Sequence, residues 1–165
     1  MIGELIFLGS VLAGIKKRKK RKMEPTPKND IQKFVWDYLN GAAPKIGLDP
    51  HIAYKQIKQE SAFNPKAKSP VGAQGLAQFM PGTWKDFGKG GDPFNPADAM
   101  GAYIRYMRYL FGIFPGRTDL VLAAYNWGPG RSVLKNAFKN KIPVSGYIDK
   151  LPKETQNYLK KIFLS

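Results

Sequence analysis

The sequence predicts an all-α domain, and three observations carry that expectation. Apolar residues recur at helical spacing, as in Ile31, Phe34, Val35, Tyr38 and Leu39. Asp49-Pro50 and Asn95-Pro96 each place a capping side chain before a Pro at a first helical position. No run alternates apolar and polar residues over strand length.

The elements follow in order. Residues 1–15 are apolar apart from Glu4 and Ser10, and the cluster Lys16-Lys17-Arg18-Lys19-Lys20-Arg21-Lys22 comes directly after them. A cleavable secretory signal has the reverse order, so this leader reads as a membrane anchor. Fifteen helical residues reach about 22 Å, short of the roughly 30 Å hydrocarbon core, so spanning would need basic stems to snorkel or the bilayer to thin. If it spans, the basic cluster marks the cytoplasmic side or the inner face of a virus membrane. Residues 16–29 form a basic linker stiffened by Pro25 and Pro27, and 30–165 form the domain.

Within that domain Asp30 is the expected N-cap of a helix to about Ala43. A second helix starts at Pro50, carries Ile52, Ala53 and Ile57 on one side and reaches Glu60. A loop rich in Gly, Ser and Pro follows, then a short helix from Pro81 to Phe87 stopped by Gly88. Asn95-Pro96 opens a long helix to about Phe111. It is apolar nearly all round (Ala99, Met100, Ala102, Tyr103, Ile104, Met107, Leu110, Phe111), which implies a central, buried position. Asp119 to Trp127, Arg131 to Phe138 and Lys153 to Phe163 complete the set.

At 165 residues the chain is long enough for one domain with its own core. It has no cysteine, which excludes disulfides and a thiol nucleophile, and its single histidine makes the usual zinc ligand set implausible. No cofactor and no metal is expected; carboxylates, hydroxyls, amides and backbone must do the chemistry. Net charge is +15, and subtracting the seven clustered positives leaves +8. Such a surface attracts polyanions: nucleic acid, anionic lipid or acidic wall polymers. Charge does not choose among them, although a basic tail that merely binds nucleic acid would not explain the apolar run ahead of it.

Glu60 is the one acid in the stretch Gln59–Trp84. Taken alone, a Glu at a helix end is an ordinary solvated residue. Here the negative end of the helix dipole disfavours its ionised form, and Ala62, Phe63 and Pro65 would desolvate it further. Both effects suit a general acid working near neutral pH. Gly72 and Gly75 permit close backbone approach to a ligand.

Three motifs share one order: QESAFNPKAKSPVGAQGLAQFMPGTW from Gln59 to Trp84, AYNWGPG from Ala124 to Gly130, and LPKET from Leu151 to Thr155. Together they resemble the lytic transglycosylases of the soluble-lysozyme-like, goose-lysozyme-related family, which cut the glycan strands of bacterial peptidoglycan. The resemblance covers roughly Asp30 to Phe163 and implies a lysozyme-like helical domain. It makes Glu60 the single catalytic acid/base, with Ser61 beside it and Ser69 helping to position substrate. Gln78 and Met80 match pocket residues, Tyr125 and Asn126 match Ala-Tyr-Asn-x-Gly, and Tyr158 matches the Tyr of Glu-Thr-x-x-Tyr. Ser61, Ser69, Tyr125 and Asn126 also fit ordinary turn or cap roles, Glu154 suits a helix first turn, Met80, Met100 and Met107 suit core gaps, and His51 suits a helix surface. The chain departs from the commoner pattern at Ala77, where Met is frequent, and at Trp127, where a small residue is common and a Trp would add a stacking surface for sugar.

The resemblance implies a one-acid mechanism. Glu60 protonates the glycosidic oxygen between N-acetylmuramic acid and N-acetylglucosamine, and the muramic 2-acetamido group stabilises the cationic sugar. Glu60 then takes the proton of the C6 hydroxyl, which closes onto C1 to give a 1,6-anhydro end. One competing reading is a goose-type lysozyme with water as acceptor, for which Asp86 or Asp92 would supply a second carboxylate. Another is an inactive glycan-binding fold serving as a basic membrane or nucleic-acid-binding structural protein. The expected partners are glycan strands and, through residues 1–22, a membrane; no specific nucleic acid is implied. The envelope and a phage virion both fit, and the unusual leader and small size point toward the virion.

The leader should attach the protein without taking part in catalysis. Buried large apolar side chains contribute about 1.5–3 kcal/mol each, and basic residues about 1 kcal/mol each near an anionic surface. Deleting residues 1–22 should therefore abolish flotation with anionic liposomes and spare turnover of soluble substrate. High salt should only partly release the full-length chain. Full-length protein that stays in the soluble fraction at both salts contradicts the anchor.

Overall fold

In the computed structural model, residues 27–164 are described. The apolar leader and basic cluster lie outside those residues; among the described ones, no helix is long and apolar enough to cross a membrane. The helices are α1 (Asp30–Ala42), α2 (Pro50–Ser61), α3 (Pro81–Phe87), α4 (Pro96–Ile113), α5 (Thr118–Trp127), α6 (Ser132–Lys139) and α7 (Lys153–Leu164). Short 3-10 turns occupy Ala43–Ile46, Val144–Gly146 and Ile148–Lys150. Among the described residues the only β pairings outside named strands are isolated bridges, Lys68 with Gln74 and Gln74 with Phe79, so the all-α expectation holds. Contacts group the chain into two compact units, described here as residues 27–109 and 110–164.

In the first unit α1 differs from expectation at its start. Asn29, not Asp30, is the N-cap, its side chain accepting from the Gln32 N–H at 3.0 Å. Asp30 lies one residue inside, where its carboxylate meets the positive end of the helix dipole. Val35, Trp36 and Leu39 form the buried face. Trp36 packs its ring 5.0 Å from His51 and 5.7 Å from Tyr54, which fixes α1 against the start of α2. His51 is thus half-buried against an aromatic face rather than a simple surface group. Asp49 caps α2 through the His51 N–H at 2.8 Å, with Pro50 at the first helical position as expected.

The loop between α2 and α3 is folded by its own backbone. Ser69 N–H donates to Ala73 and Gly75 N–H to Ala67, each at 2.9 Å, and Gln74 and Phe79 exchange two bonds of 3.0 Å. Gly75 has φ +72°, and a Cβ there would meet the Pro93 carbonyl oxygen at 1.9 Å. The close approach anticipated at this glycine is therefore to the chain's own loop before α4. That loop is tied by Trp84 Nε1 donating to Gly91 at 3.2 Å and by the Asp98 carboxylate accepting from Asp92 N–H at 3.0 Å.

Helix α4 runs two residues past its expected end. Ala99, Met100, Ala102, Tyr103, Ile104, Met107 and Leu110 are buried, while Phe111 is half-buried and Arg108, Tyr109 and Gly112 are exposed. The helix is therefore central on most of its circumference, with a polar strip where the arginines fall. Met100 and Met107 are fully buried, the gap-filling role their flexible thioethers suit.

In the second unit α5 packs on α7. Leu120, Val121, Leu122, Ala123 and Ala124 are wholly buried, and Leu159 and Ile162 come from α7. A polar knot closes the other end. Arg117 grips the Asp119 carboxylate through two bonds of 2.9 and 2.7 Å, Tyr147 donates to the same carboxylate at 2.7 Å, and Arg117 also reaches the Ile142 carbonyl at 2.9 Å. Burial first, then the Asp119 charge, pushes the Tyr147 phenol far up, so it stays a donor.

Gly75→Ala should destabilise the protein by about 2–5 kcal/mol, adding the left-handed backbone penalty to an overpacking cost. A urea midpoint unchanged from wild type would contradict the close approach to Pro93.

Candidate active site

Glu60 is the penultimate residue of α2 and is half-buried. The helix stops there because the next two residues leave it. Ala62 and Phe63 both adopt left-handed conformations, φ 52° and 64°, although neither is glycine. Such residues carry a backbone cost of roughly 1–2 kcal/mol each, so the surroundings must hold them. Ala62 N–H closes the helix onto Lys58 at 2.9 Å, and Phe63 is buried with its ring 4.7 Å from Tyr54. Of the neighbours expected to desolvate Glu60, Phe63 is buried, Pro65 half-buried and Ala62 exposed.

Tyr103 of α4 is fully buried and donates its hydroxyl to Gln56 Oε1 at 2.7 Å. Burial first, and then the negative charge of Glu60, push the Tyr103 phenol well up. Glu60 thus acts electrostatically on a buried phenol that keeps its proton.

The remaining residues of the first motif hold the loop in shape. Ser69 Oγ accepts from Ala73 N–H at 2.9 Å. Gln78 sits at φ 49°, and its side-chain Nε2 donates to Gly75 at 2.9 Å and Ala67 at 3.3 Å. Ser61 Oγ leans back onto the Ile57 carbonyl at 3.4 Å. Met80 stands at the N-cap position of α3 without a side-chain capping bond and is 44% exposed. The plain turn role of Ser69 is thus real, and Gln78 braces the same loop through its Nε2.

In the second unit Asn126 Oδ1 accepts from Thr155 Oγ1 at 2.8 Å. Thr155 is 1% exposed and Tyr158 is buried one turn further along α7. Tyr125 and Asn126 are half-buried near the end of α5. Arg131 lies over the Trp127 ring at 5.0 Å, so one face of the proposed stacking surface is already covered. The structure accordingly gathers Glu60, Ser61, Ser69, Gln78 and Met80 in one unit, and Tyr125, Asn126 and Tyr158 in the other.

Asp92, one candidate for a second carboxylate, accepts from the Phe94 N–H at 2.9 Å and so shapes its own turn. Asp86 is exposed on α3. Among the described residues no three His, Cys, Asp or Glu side chains cluster as metal ligands.

Sequence reasoning did not single out Gln56 and Tyr103, which bond to each other, or Thr155, which bonds to Asn126. Gln56 had a signal, one helical turn before Glu60, and Thr155 stood inside a quoted motif beside Glu154. Tyr103 stood only as one aromatic in an apolar helix.

Residues 37–143 match the transglycosylase SLT domain model, and the chain belongs to that family. The soluble lytic murein transglycosylase of Escherichia coli strain K12 is 35% identical over 152 residues, covering 78% of this chain and 23% of that protein. A transglycosylase of Enterobacteria phage PRD1 is 31% identical over 125 residues, covering 66% of this chain and 46% of the phage protein. The crystal structure of the 70 kDa soluble lytic transglycosylase of Escherichia coli superposes with a TM-score of 0.64 at 32% identity, over 76% of this chain and 22% of that one. The chain therefore spans about a quarter of the bacterial relative's length.

Thr155→Val keeps shape and removes the hydroxyl donor to Asn126. Stability should fall by about 0.5–1.5 kcal/mol, the net worth of one hydrogen bond to the half-buried Asn126. Urea unfolding measures it, and an unchanged midpoint would show that Asn126 does not depend on Thr155.

Proposed function

We propose that this protein is a peptidoglycan lytic transglycosylase, with Glu60 as its single acid and base. The observation that carries the reading is the placement of Glu60. It is the penultimate residue of a helix, precedes a turn held in left-handed backbone, and acts on a buried phenol, within a chain of the SLT transglycosylase family. Glu60 donates its proton to the oxygen between N-acetylmuramic acid and N-acetylglucosamine, the muramic C1–O bond breaks, and the N-acetylglucosamine side departs with that oxygen as a hydroxyl. The substrate's own acetamido group then stabilises the sugar cation, so no second carboxylate is needed. The carboxylate left on Glu60 removes the C6 hydroxyl proton, the C6 oxygen bonds to C1, and a 1,6-anhydro end leaves. Atoms balance without water.

Ser61, Ser69, Gln78, Met80, Tyr125, Asn126 and Tyr158 are the substrate-binding residues in this reading. Several already have internal partners, so they offer substrate rigid, pre-oriented groups, which is what catalysis by positioning requires. A hydrolytic lysozyme would need a second carboxylate for water; of the two candidates, Asp92 is engaged in its own turn and Asp86 is exposed on α3. Residues 1–22 attach the enzyme to a membrane, and residues 30–165 act as the catalytic domain. The phage relative supports delivery by a virion that must breach a cell wall.

Glu60→Gln should lower lysis of purified peptidoglycan by at least about 10²-fold, the lower end for loss of a general acid–base. The fold should persist by circular dichroism. A folded variant with near wild-type lysis removes Glu60 from the mechanism.

A further inference from the structure

Gln56 lies four residues before Glu60 on α2, so the two side chains are neighbours on one helix face. Gln56 is 0% exposed, and so is Tyr103, whose hydroxyl reaches it from α4. A phenol has one proton, and this one is given to Gln56 Oε1 at 2.7 Å. Toward any other neighbour the Tyr103 oxygen can only accept. A carboxylic acid can donate to it; a carboxylate meets its lone pairs and is repelled.

The pair is costly to keep. Gln56 Nε2 is buried and, among the described residues, has no hydrogen-bond partner, which costs free energy. An apolar pair of the same shape would avoid that cost.

We infer that Gln56 and Tyr103 are positioning residues for Glu60, holding its carboxyl group in the protonated form that donates to the glycosidic oxygen. The inference rests on the reading of Glu60 as the catalytic acid. The charged groups around the pair fit it. Glu60 from α2 is the charge that acts on the Tyr103 phenol. Burial first lowers the Lys55 ammonium on the same helix, and the opposing charges of Asp49 and Lys58 then act on it in opposite directions. Arg105, two residues along α4, gives its Nε–H to the Phe87 carbonyl at 2.7 Å.

Two readouts test the pair. The chain has four glutamates, Glu4, Glu24, Glu60 and Glu154, so side-chain carbon signals of labelled glutamate can be assigned by substitution and titrated by NMR. In Tyr103→Phe the Glu60 midpoint should drop by about half a pH unit or more, the size of one net hydrogen bond. Because the protonated acid is the active form, lysis falls as pH rises through that midpoint, and this alkaline fall should move to lower pH by the same amount. Gln56→Leu should shift both readouts in the same direction. The Gln56→Leu, Tyr103→Phe double variant should shift them likewise while melting no lower than wild type, because it strands no buried polar group.

Titration and pH profile in Tyr103→Phe and in the double variant that overlay the wild type would overturn the inference. Failure of the catalytic reading looks different. Glu60→Gln would then remain lytic, whatever the titration of Glu60 in the Tyr103 variant shows.

Discussion

The structure around Glu60 depends on where α2 is made to stop. A carboxylate one residue before a helix end has its backbone fixed by the helix and its side chain beside whatever follows. Here the stop is enforced by two left-handed residues, Ala62 and Phe63, instead of by a glycine. Their strain is offset by burial of the Phe63 ring on Tyr54, which is itself packed on Trp36 of α1. The aromatic column from α1 to Phe63 thus determines the direction in which the chain leaves Glu60.

Everything downstream in the first unit follows from that exit. The loop to Met80 has little room to vary, since Gln78 sits in a left-handed conformation braced by its own side chain and Gly75 lies against the Pro93 carbonyl. Groups that the family resemblance assigns to substrate binding double as braces. Substitutions at Ser69 or Gln78 therefore remove bonds that hold this loop in shape. On α4, Tyr106 packs between Phe79 and Phe87, and burial, then Tyr109, pushes its phenol up to about 12.

Helix positions were legible in the sequence because capping residues, prolines and apolar period agree there. Asp49-Pro50, Pro81 with Gly88, and Asn95-Pro96 set three helices to within two residues. Asn29 and Asp30 were harder, since either side chain can cap and only the backbone decides which does. Glu60 was legible through its motif and its place at a helix end. Gln56 and Tyr103 were not, because they are 47 residues apart and each has an unremarkable local pattern. Nor does one-dimensional spacing reveal whether a glycine meets a ligand or its own chain, the point on which Gly75 differed.

The central claim is that one carboxylate does all the proton transfer and that the substrate's own C6 hydroxyl, not water, closes the reaction. Mass spectrometry of purified peptidoglycan digested in heavy-oxygen water tests it directly. The account predicts glycan fragments ending in 1,6-anhydromuramic acid, lighter than the hydrolysed ends by one water and carrying no heavy oxygen. Reducing muramic ends that contain the heavy oxygen would contradict it and make the protein a hydrolase.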